Sequence, residues 1–511
     1  MSNEGNGTVN LEAPAPYDGL HLMPIAGEWR EGRSGKSRED VNPYTGETLL
    51  EISLADANDL DEAYRAAAEA QKEWARTLPQ ERRDLMERVR EVVERRMEEI
   101  VSWLVRESGS TRIKAELETG LLVREGLREA ASYPLRMTGE ILPATIPGKE
   151  NRSYREPVGV IGVISPWNFP LHLTNRSVAP AIATGNAVVV KPASDTPVTG
   201  ALLLAKIYEE AGLPPGLFNV VVGSGSEIGD AFVEHPVPQV ISFTGSTEVG
   251  RRIGELAGRH VKKVGLELGG NGPFVVLDDA GLDRAAEAAV NARFLHQGQM
   301  CISANRFIVD RPVHDEFLGR FIERVAALKV GDPSEPETAI GPIINESQLE
   351  SIQEKVRDTE AEGARRELGG EVDGLLMSPV VLSGVTNDMR AAKEETFGPV
   401  APVIAVEGEE EAIRVANDTN LGLSSAVFTG DPERGAWVAR RIEAGMTHVN
   451  DVAANDEAHV AFGGEKMSGL GRFNGHWIME EFTTEHWVSV QYGPRPYPLT
   501  GGSEPGASMG A

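Results

Sequence analysis

Apolar positions near the N-terminus recur at the spacing of amphipathic helices. Leu60, Ala63, Ala67, Ala70 and Trp74 share one helical face behind a cap at Asp56 or Asn58. A second, heavily charged segment repeats the spacing at Met86, Val89, Val93, Met97, Ile100 and Leu104. We expect two helices whose apolar faces pack on elements further along the chain.

After this region the apolar residues no longer recur at helical spacing and instead form short runs of β-branched and aromatic residues. The runs are Val158–Ile164, Ala187–Val190, Phe218–Val222, Val240–Phe243 and Val264–Leu268. Each of the first four leads into a helical stretch, directly or through a Gly/Pro turn. This alternation predicts a parallel sheet with helices on both faces, and such a sheet binds ligands beyond the carboxyl ends of its strands.

A second α/β series follows Glu267. Strands are expected near Phe274–Leu277, Arg306–Val309 and Val400–Val406, with helices near 282–295, 314–328 and 410–418. A last strand-like run, Trp487–Tyr492, stands alone in the sequence, so we expect it to pair with another subunit. Segments 1–17 and 500–511 are rich in small and polar residues and are predicted to be flexible tails.

Composition narrows the function classes. The net charge of −28 opposes binding to nucleic acid or anionic lipid, and 41% apolar residues is ordinary for a globular chain. The N-terminal residues show no secretory signal and no apolar run reaches the length of a membrane span, so a cytoplasmic location is expected. Cys301 is the only cysteine, which excludes an intrachain disulfide and a thiolate metal cluster.

Three residues are candidates for catalysis. Cys301 follows the polar stretch Gln297-Gly298-Gln299 and is interpreted as a nucleophile or as inert core. Glu267 ends an apolar strand, where burial would raise the pKa of its carboxyl as a general base requires; the alternative is a salt-bridged structural glutamate. Asn168 follows the first predicted strand and is either an oxyanion donor or a helix cap.

Glycine loops and one lysine are candidates for cofactor binding. The loop around Gly225 is one residue too long for the dinucleotide fingerprint, so an ordinary turn remains open. Gly245 and Ser246 precede a predicted helix and would offer donors to a pyrophosphate, or Ser246 is a plain cap. Lys191 ends a strand at the expected ligand edge, where a cation favours an anionic cofactor, although a surface lysine is the alternative.

Six ordered motifs resemble the NAD(P)-dependent aldehyde dehydrogenases, over about residues 20–495. They are Pro166-Trp167-Asn168-Phe169-Pro170, Phe243 to Thr247, Leu266 to Gly270, Gln297 to Cys301, Glu395 to Pro399, and Phe462-Gly463-Gly464 with Ser468-Gly469. The resemblance implies two parallel-sheet α/β domains, a Rossmann-like cofactor domain and a catalytic domain, with a small β arm. It implies a cofactor domain at 18–136 and 152–266, a catalytic domain at 267–470, and oligomerisation segments at 137–151 and 471–499.

The resemblance also implies the chemistry. Cys301 would attack the aldehyde, Asn168 and the Cys301 backbone N–H would hold the oxyanion, and Glu267 would activate the water that hydrolyses a thioester. No metal is expected, because no clustered His and carboxylate spacing is present. An alternative of another class is a cysteine hydrolase or acyltransferase that uses Cys301 without a cofactor.

By the same resemblance, NAD or NADP is the cofactor. The residues expected to bind it are Ile164, Pro166, Trp167, Lys191, Ser194, Gly225, Gly245, Ser246, Gly269, Glu395 and Phe397. NAD-preferring members often carry glutamate where this chain has Ser194, and a serine does not repel a 2′-phosphate. We therefore expect the chain to use both NAD and NADP.

The substrate is predicted from a narrower resemblance in four stretches, Lys191–Gly200, Phe294–Gln299, His448–Asp451 and Asn455–Glu457. They look most like the bacterial vanillin and benzaldehyde dehydrogenases of the family. The residues that match the family's substrate tunnel are Phe169, Leu173, Arg176, Ile302 and Phe462. Many relatives place an aromatic residue where this chain has Arg176. Its guanidinium would hold a phenolate or carboxylate, which leaves a semialdehyde such as succinate semialdehyde as the alternative substrate, or it turns outward to solvent. A homodimer or homotetramer is expected.

Overall fold

Two parallel sheets organise the chain in the computed structural model, which describes residues 14–497 and Leu499. Most of the two predicted tails lies outside these residues. Tyr17 is described, and it contradicts a tail that extends to residue 17: its backbone N–H donates to Glu99 at 2.7 Å and its ring packs under the Arg96 guanidinium. This ordered contact depends on distant partners, which composition does not reveal.

Two short hairpins and a layer of helices come first. The strands are β1 (Met23–Ile25), β2 (Glu28–Arg30), β3 (Ser37–Val41) and β4 (Thr48–Ser53). The helices are α1 (Ala57–Trp74), α2 (Pro79–Arg95), α3 (Met97–Ser108), α4 (Arg112–Leu117), α5 (Arg124–Ala130) and α6 (Tyr133–Arg136), with a π-helical turn at Glu118–Val123.

The first predicted helix is confirmed, and the second is corrected. Asp56 caps α1 by accepting from the backbone N–H groups of Asn58 and Asp59. The second pattern runs through two helices, α2 and α3, because Arg96 leaves helical geometry at ψ 18°. Its buried side chain is held by Glu99, Glu210 and the Ala15 carbonyl, a tertiary network that periodicity alone does not indicate.

The first sheet contains the five predicted strands, after the short arm strands β5 (Glu140–Leu142) and β6 (Lys149–Pro157). The strands are β7 (Val160–Ile164), β8 (Ala187–Lys191), β9 (Phe218–Val220), β10 (Val240–Thr244) and β11 (Lys263–Glu267). The intervening helices are α7 (Pro170–Ala183), α8 (Leu203–Glu210) after a π-helical turn at Val198–Leu202, α9 (Gly225–Glu234) and α10 (Thr247–Arg259). The strands lie in the order β9-β8-β7-β10-β11 and are all parallel. The chain adds strands on one side of β7 up to β9 and then on the other side from β10, so the order of strand addition reverses between β7 and β10.

The second sheet has seven strands in the order β14-β17-β18-β13-β12-β20-β21, parallel except for β14. The strands of this region are β12 (Gly272–Val276), β13 (Ala304–Asp310), β14 (Arg365–Leu368), β15 (Val372–Asp373), β16 (Leu376–Met377), β17 (Val380–Ser383), β18 (Val400–Val406), β19 (Leu421–Gly422), β20 (Ser424–Phe428) and β21 (Met446–Val449). The helices are α11 (Leu282–Phe294), α12 (Arg311–Ala326), α13 (Glu346–Ala361), α14 (Arg390–Lys393), α15 (Gly408–Asn417) and α16 (Pro432–Ala439). The predicted second α/β domain is confirmed.

The C-terminal segment returns to the first domain before it enters the arm. Its elements are β22 (Glu465–Lys466), β23 (Gly469–Leu470), α17 (Gly475–Phe482) and β24 (Thr483–Gln491). β23 joins the edge of the first sheet antiparallel to β11, and Phe473, Ile478 and Phe482 are buried in the core of that domain. The expected arm segment 471–499 therefore begins only after α17.

The arm is a three-stranded antiparallel sheet in the order β24-β6-β5. The prediction that the last strand is isolated is wrong, since Thr483–Gln491 pairs with Lys149–Pro157 of the same chain. Residues 152–157 were expected in the cofactor domain, and they belong to the arm instead. Within residues 14–497, no helix is both long and apolar enough to cross a membrane.

Candidate active site

The loop after β11 brings the two domains' key residues together. A Cβ added to Gly270 would lie 2.1 Å from the Cys301 carbonyl oxygen, and one added to Gly269 would lie 2.6 Å from a carboxyl oxygen of Glu395. Only glycines allow the backbone to pass between these groups. The sequence Glu267-Leu-Gly-Gly270 therefore connects the carboxyl edge of the first sheet to Cys301.

Glu267 is the last residue of β11 and is buried. Neither carboxyl oxygen has a hydrogen-bond partner within the described part of the chain, so the salt-bridged alternative does not hold. Burial raises the pKa of this carboxyl to about 7, with a further upward contribution from Asp456, while Arg176 and Arg472 oppose the rise. Near neutral pH the group exists in both protonation states and can exchange a proton.

Cys301 lies in the loop between α11 and β13. The turn before it has left-handed backbone at three successive residues, His296, Gln297 and Gly298, with φ of 51°, 56° and 73°. Such strain in non-glycine residues is found mainly at functional sites. Desolvation raises the pKa of the Cys301 thiol to about 12, and the carboxyls of Glu267 and Glu395 add to the rise. The thiol therefore needs a base for attack.

Asn168 reaches the same place from the loop after β7. Its side-chain amide donates to the Gln299 carbonyl at 2.9 Å, two residues before Cys301. An amide nitrogen carries two N–H groups, and one remains for a ligand. Asn168 is not a helix cap, because the N-cap of α7 is Phe169 and no side chain caps it.

The expected dinucleotide residues lie along the carboxyl edge of the first sheet. Ile164 and Lys191 end β7 and β8, and Gly245 and Ser246 follow β10. The strand order reverses between β7 and β10, which is where open parallel sheets bind nucleotides. Ser246 caps α10 by accepting from the Val249 N–H, so the plain-cap interpretation is correct, and the cap leaves its hydroxyl hydrogen free.

This edge fits a dinucleotide by two observations. The buried Lys191 ammonium has only a 3.4 Å contact with the Pro192 carbonyl, and in the described range no carboxylate pairs with it. Burial, together with the charge of Arg38, lowers its pKa to about 8. A buried cation with free donors suits an anionic or hydroxyl-bearing ligand.

Glu395 and Phe397 approach this edge from the second domain. Gly270 donates its N–H to Glu395 at 2.9 Å, and burial raises the pKa of that carboxyl to about 7. The Phe397 ring meets the Trp167 ring edge-on, with 5.3 Å between centroids. Pro166 directly precedes Trp167 in the loop after β7. The two domains thus enclose the expected nicotinamide region.

Two expected cofactor residues lie further out. Gly225 is the exposed first residue of α9, and Ser224 caps that helix, so the turn interpretation accounts for it. Ser194 is half-buried and lines a recess with Arg38, whose guanidinium is 3.1 Å from the Asp195 carboxylate. A second cation therefore lies beside Ser194.

Some of the expected substrate residues lie in apolar clusters, and Arg176 lies beside a cavity with polar residues in its lining. Phe169 and Leu173 pack with Met300 in a buried cluster that Leu122, Leu295 and Ala454 complete. Ile302 and Phe462 pack on the neighbouring core. A cavity of about 810 Å³ opens beside Arg176 and is lined by the π-helical turn of residues 118–123, by α7 and by the loop 451–459.

Arg176 does not turn to solvent, contrary to one of the two predictions. Its side chain is 3% exposed and its guanidinium lies 3.3 Å from the Asp456 carboxylate. It also stacks over the Phe462 ring at 4.2 Å. Asp456 is further held by His172 at 2.9 Å and by Asn474 at 2.7 Å, so the charge of Arg176 is already paired.

Sequence reasoning missed Lys114, Glu118, His172 and Asp456. Lys114 and Glu118 are completely buried and contact the Asn168 segment. Their i,i+4 spacing is that of an ordinary surface ion pair, so the sequence carried no signal of burial. Asp456 lies in the stretch Asn455–Glu457, but its contact with Arg176 joins positions far apart in sequence.

The aldehyde dehydrogenase family matches residues 29–488, so the chain belongs to that family. Among residues 14–497, no three His, Cys, Asp or Glu side chains cluster as metal ligands.

Individual relatives agree with the family assignment. A vanillin dehydrogenase of Corynebacterium glutamicum is 54% identical over 91% of this chain and 97% of its own length. A benzaldehyde dehydrogenase of Bacillus subtilis is 52% identical over 94% and 99%. The crystal structure of a NAD-dependent benzaldehyde dehydrogenase from Corynebacterium glutamicum has a TM-score of 0.86 at 50% identity, and covers 93% of this chain and 97% of that chain. The prediction of an aldehyde dehydrogenase fold is confirmed.

Proposed function

We propose that this chain oxidises an aromatic aldehyde to the carboxylic acid with a nicotinamide dinucleotide, through a thioester on Cys301. The observation that carries the proposal is the meeting of three groups where the two sheets face each other. These are the Cys301 thiol, the Glu267 carboxyl without hydrogen-bond partners, and the Asn168 amide that is anchored to Gln299.

The first step is attack on the aldehyde. Glu267, with a pKa near 7, accepts the proton of the Cys301 thiol as sulfur bonds to the carbonyl carbon. The carbonyl electron pair moves to oxygen, and Asn168 and the Cys301 backbone N–H donate to this oxyanion. The loss of one such donor typically lowers the rate by about 10²–10³.

The dinucleotide would be held by Glu395, Phe397, Trp167, Lys191 and Ser246. When bound, it would supply a hydride acceptor, so that the thiohemiacetal becomes a thioester on Cys301. Glu267 releases the thiol proton to solvent and then takes a proton from water. The resulting hydroxide attacks the thioester, and the carboxylic acid leaves as the Cys301 thiolate departs and takes the proton back from Glu267. One buried carboxyl thus serves both proton transfers.

An aromatic aldehyde is the substrate that this pocket supports best. Phe169, Leu173 and Met300 form a buried apolar cluster, whose chemistry suits a benzene ring. Relatives with about half of their residues identical to this chain include proteins named vanillin dehydrogenase and benzaldehyde dehydrogenase. Comparison of kcat/KM for vanillin, benzaldehyde and succinate semialdehyde tests the assignment, and a clear preference for the semialdehyde contradicts it.

The two alternatives are disfavoured by named contacts. Arg176 was the residue expected to bind the carboxylate of a semialdehyde, and it is paired with Asp456. A cysteine hydrolase needs a histidine beside its thiol, but the charged groups that act most on Cys301 are Glu267, Glu395 and Arg176.

Use of both NAD and NADP is the finer part of the proposal. Ser194 presents no carboxylate to a 2′-phosphate, and the buried Lys191 ammonium, which has no carboxylate partner among the described residues, places a cation nearby. We expect kcat/KM for NAD to exceed that for NADP by less than about a thousandfold, which corresponds to about 4 kcal/mol. A larger preference for NAD contradicts the proposal.

A homodimer or homotetramer is proposed from the arm. β24 forms one edge of the arm sheet, and Trp487 and Tyr492 are each 66% exposed there. An open strand edge with exposed aromatic residues is suited to pairing with a second copy. Light scattering measures the assembly, and cell fractionation tests the predicted cytoplasmic location.

Replacement of the Cys301 sulfur tests the whole mechanism. Cys301→Ser and Cys301→Ala are expected to reduce aldehyde oxidation by at least about 10³-fold, because no other group can form the thioester. Dinucleotide reduction is followed by absorbance, and trapping of an acylated peptide identifies the intermediate in the parent enzyme. Aldehyde oxidation at an unchanged rate in either variant would exclude the mechanism.

A further inference from the structure

We infer that the buried ion pair Lys114–Glu118 is a positioning device that holds Asn168 in place as the oxyanion donor. The inference rests on the proposed function, because the donor role of Asn168 is assigned there. Neither Lys114 nor Glu118 lines the reacting atoms, so both would act through Asn168.

Lys114 bonds directly to the donor residue. It lies on α4, and its ammonium donates to the Asn168 backbone carbonyl at 2.7 Å and to the Glu118 carboxylate. The same ammonium lies 4.1 Å from the centre of the Phe169 ring. Both members of the pair are fully buried. The residue that carries the amide is thus clamped by a charged group from another element.

Glu118 holds the other end of the same segment. Its second carboxyl oxygen accepts from the His172 backbone N–H at 3.0 Å, in the first turn of α7. First-turn N–H groups have no partner within their helix, and a carboxylate is favoured there. A single ion pair therefore fixes both Asn168 and the start of α7, while the Asn168 amide itself is directed at Gln299.

Stability is a weak reason for such a pair. Two charges lose their hydration on burial, and an apolar pair of similar size often stabilises a fold equally well. Desolvation lowers the pKa of Lys114, and the nearby Glu118 carboxylate opposes that shift. The pair also lies where α4 passes into the π-helical turn Glu118–Val123, and π-helical turns are common at functional sites.

The test is a double-mutant cycle with Asn168. Lys114→Met with Glu118→Gln removes both charges without leaving one unpaired, and it is combined with Asn168→Ala. Each variant is assayed for kcat and KM with benzaldehyde. It is also assayed for nitrophenolate release from p-nitrophenyl acetate, in which Cys301 displaces the nitrophenolate and no dinucleotide takes part.

A matched control is Lys262→Met. Lys262 also donates to two backbone carbonyls, those of Val233 and His235, at the C-terminal end of α9. Thermal unfolding checks that every variant is folded. If this double replacement does not fold, Lys114→Gln with Glu118→Gln replaces it in the cycle, because two amides also leave no buried charge unpaired.

The expected result is a loss that depends on Asn168. The charge-free pair lowers kcat and the nitrophenolate rate by about ten- to a hundredfold, as a small displacement of a catalytic group does, with KM changed less than about threefold. In the Asn168→Ala background, the same replacement lowers both rates by less than about threefold, because no donor remains to be positioned. Lys262→Met leaves both rates unchanged.

Each of three results would contradict either the proposed function or the positioning inference. If Asn168→Ala alone has no effect, the donor role in the proposed function fails. If Asn168→Ala is impaired but the charge-free pair is fully active, the positioning inference fails. If the charge-free pair costs the same with and without Asn168, its role is structural and the inference also fails.

Discussion

Glu267 and Glu118 are both buried glutamates near the candidate active site, and their surroundings differ. Glu267 ends β11 without a hydrogen bond to either carboxyl oxygen among the described residues. Glu118 gives one oxygen to Lys114 and the other to the His172 N–H. The Glu267 carboxyl has no hydrogen-bond partner in the described part of the chain, whereas both oxygens of the Glu118 carboxylate accept hydrogen bonds.

The difference separates proton transfer from positioning. A buried carboxyl without partners favours its neutral form, which is why the pKa of Glu267 rises to about 7 and the group can move protons at neutral pH. A carboxylate that accepts from an ammonium and a backbone N–H is held in one position. Equal burial therefore serves opposite purposes.

Glu267→Gln should have the largest effect on turnover. We expect the first dinucleotide reduction to slow, because the glutamine cannot accept the Cys301 proton, and steady-state turnover to fall by about 10²–10⁴, because it cannot deprotonate water either. Stopped-flow absorbance measures both phases. Glu350→Gln, at an exposed position on α13, is the control, and unchanged steady-state turnover in Glu267→Gln would refute the assigned role.

Glu118→Ala should have the largest effect on stability. It leaves the Lys114 ammonium buried without its carboxylate, and the loss of one partner of a buried pair costs about 3–5 kcal/mol. Urea denaturation at pH 8 measures the free energy of unfolding. A loss below about 1 kcal/mol would mean that the pair is not held as the structure indicates.

Glu267→Gln should change stability in the opposite direction, by an amount that grows as pH rises from 4.5 to above 7. The pKa of Glu267 is about 7 in the folded chain against an ordinary value of 4.5, so its contribution to stability is present below pH 4.5 and is lost as pH rises through 7. Glutamine avoids that loss. We expect the variant to be more stable than the parent by up to about 3 kcal/mol at pH 8, with no gain at pH 4.5. Urea denaturation at both pH values measures this, and an equal gain at both would contradict it.

Asp456→Asn should have a smaller effect, on pH dependence and substrate preference. The Asp456 charge raises the pKa of Glu267 and pairs with Arg176, so its removal shifts the rise of kcat/KM to lower pH. It also frees the guanidinium for an anionic substrate. We expect the ratio of kcat/KM for succinate semialdehyde to that for benzaldehyde to increase by about tenfold or less. A ratio that does not change would show that Arg176 does not contact the substrate.

Local patterns predicted much of this molecule correctly. The five strands of the first sheet and the capped helix after Asp56 follow from periodicity and capping chemistry, because both are properties of neighbouring residues. The candidate residues Glu267, Cys301 and Asn168 were found because each follows or ends an element at a predictable edge. The break at Arg96 and the pairing of β24 with β6 were not predicted, since their causes lie far away in sequence.

The order of residues along the chain is enough to establish the alternation of strands and helices, the single thiol and the identity of the residues at the ends of the strands. Folding adds that Glu267 has no partner among the described residues, that Arg176 is paired with Asp456, and that Lys114 and Glu118 are buried against Asn168. Hydrophobic period and caps are set within a few residues of chain. The charge state and direction of a side chain depend on desolvation and on partners that only folding brings within a few ångströms.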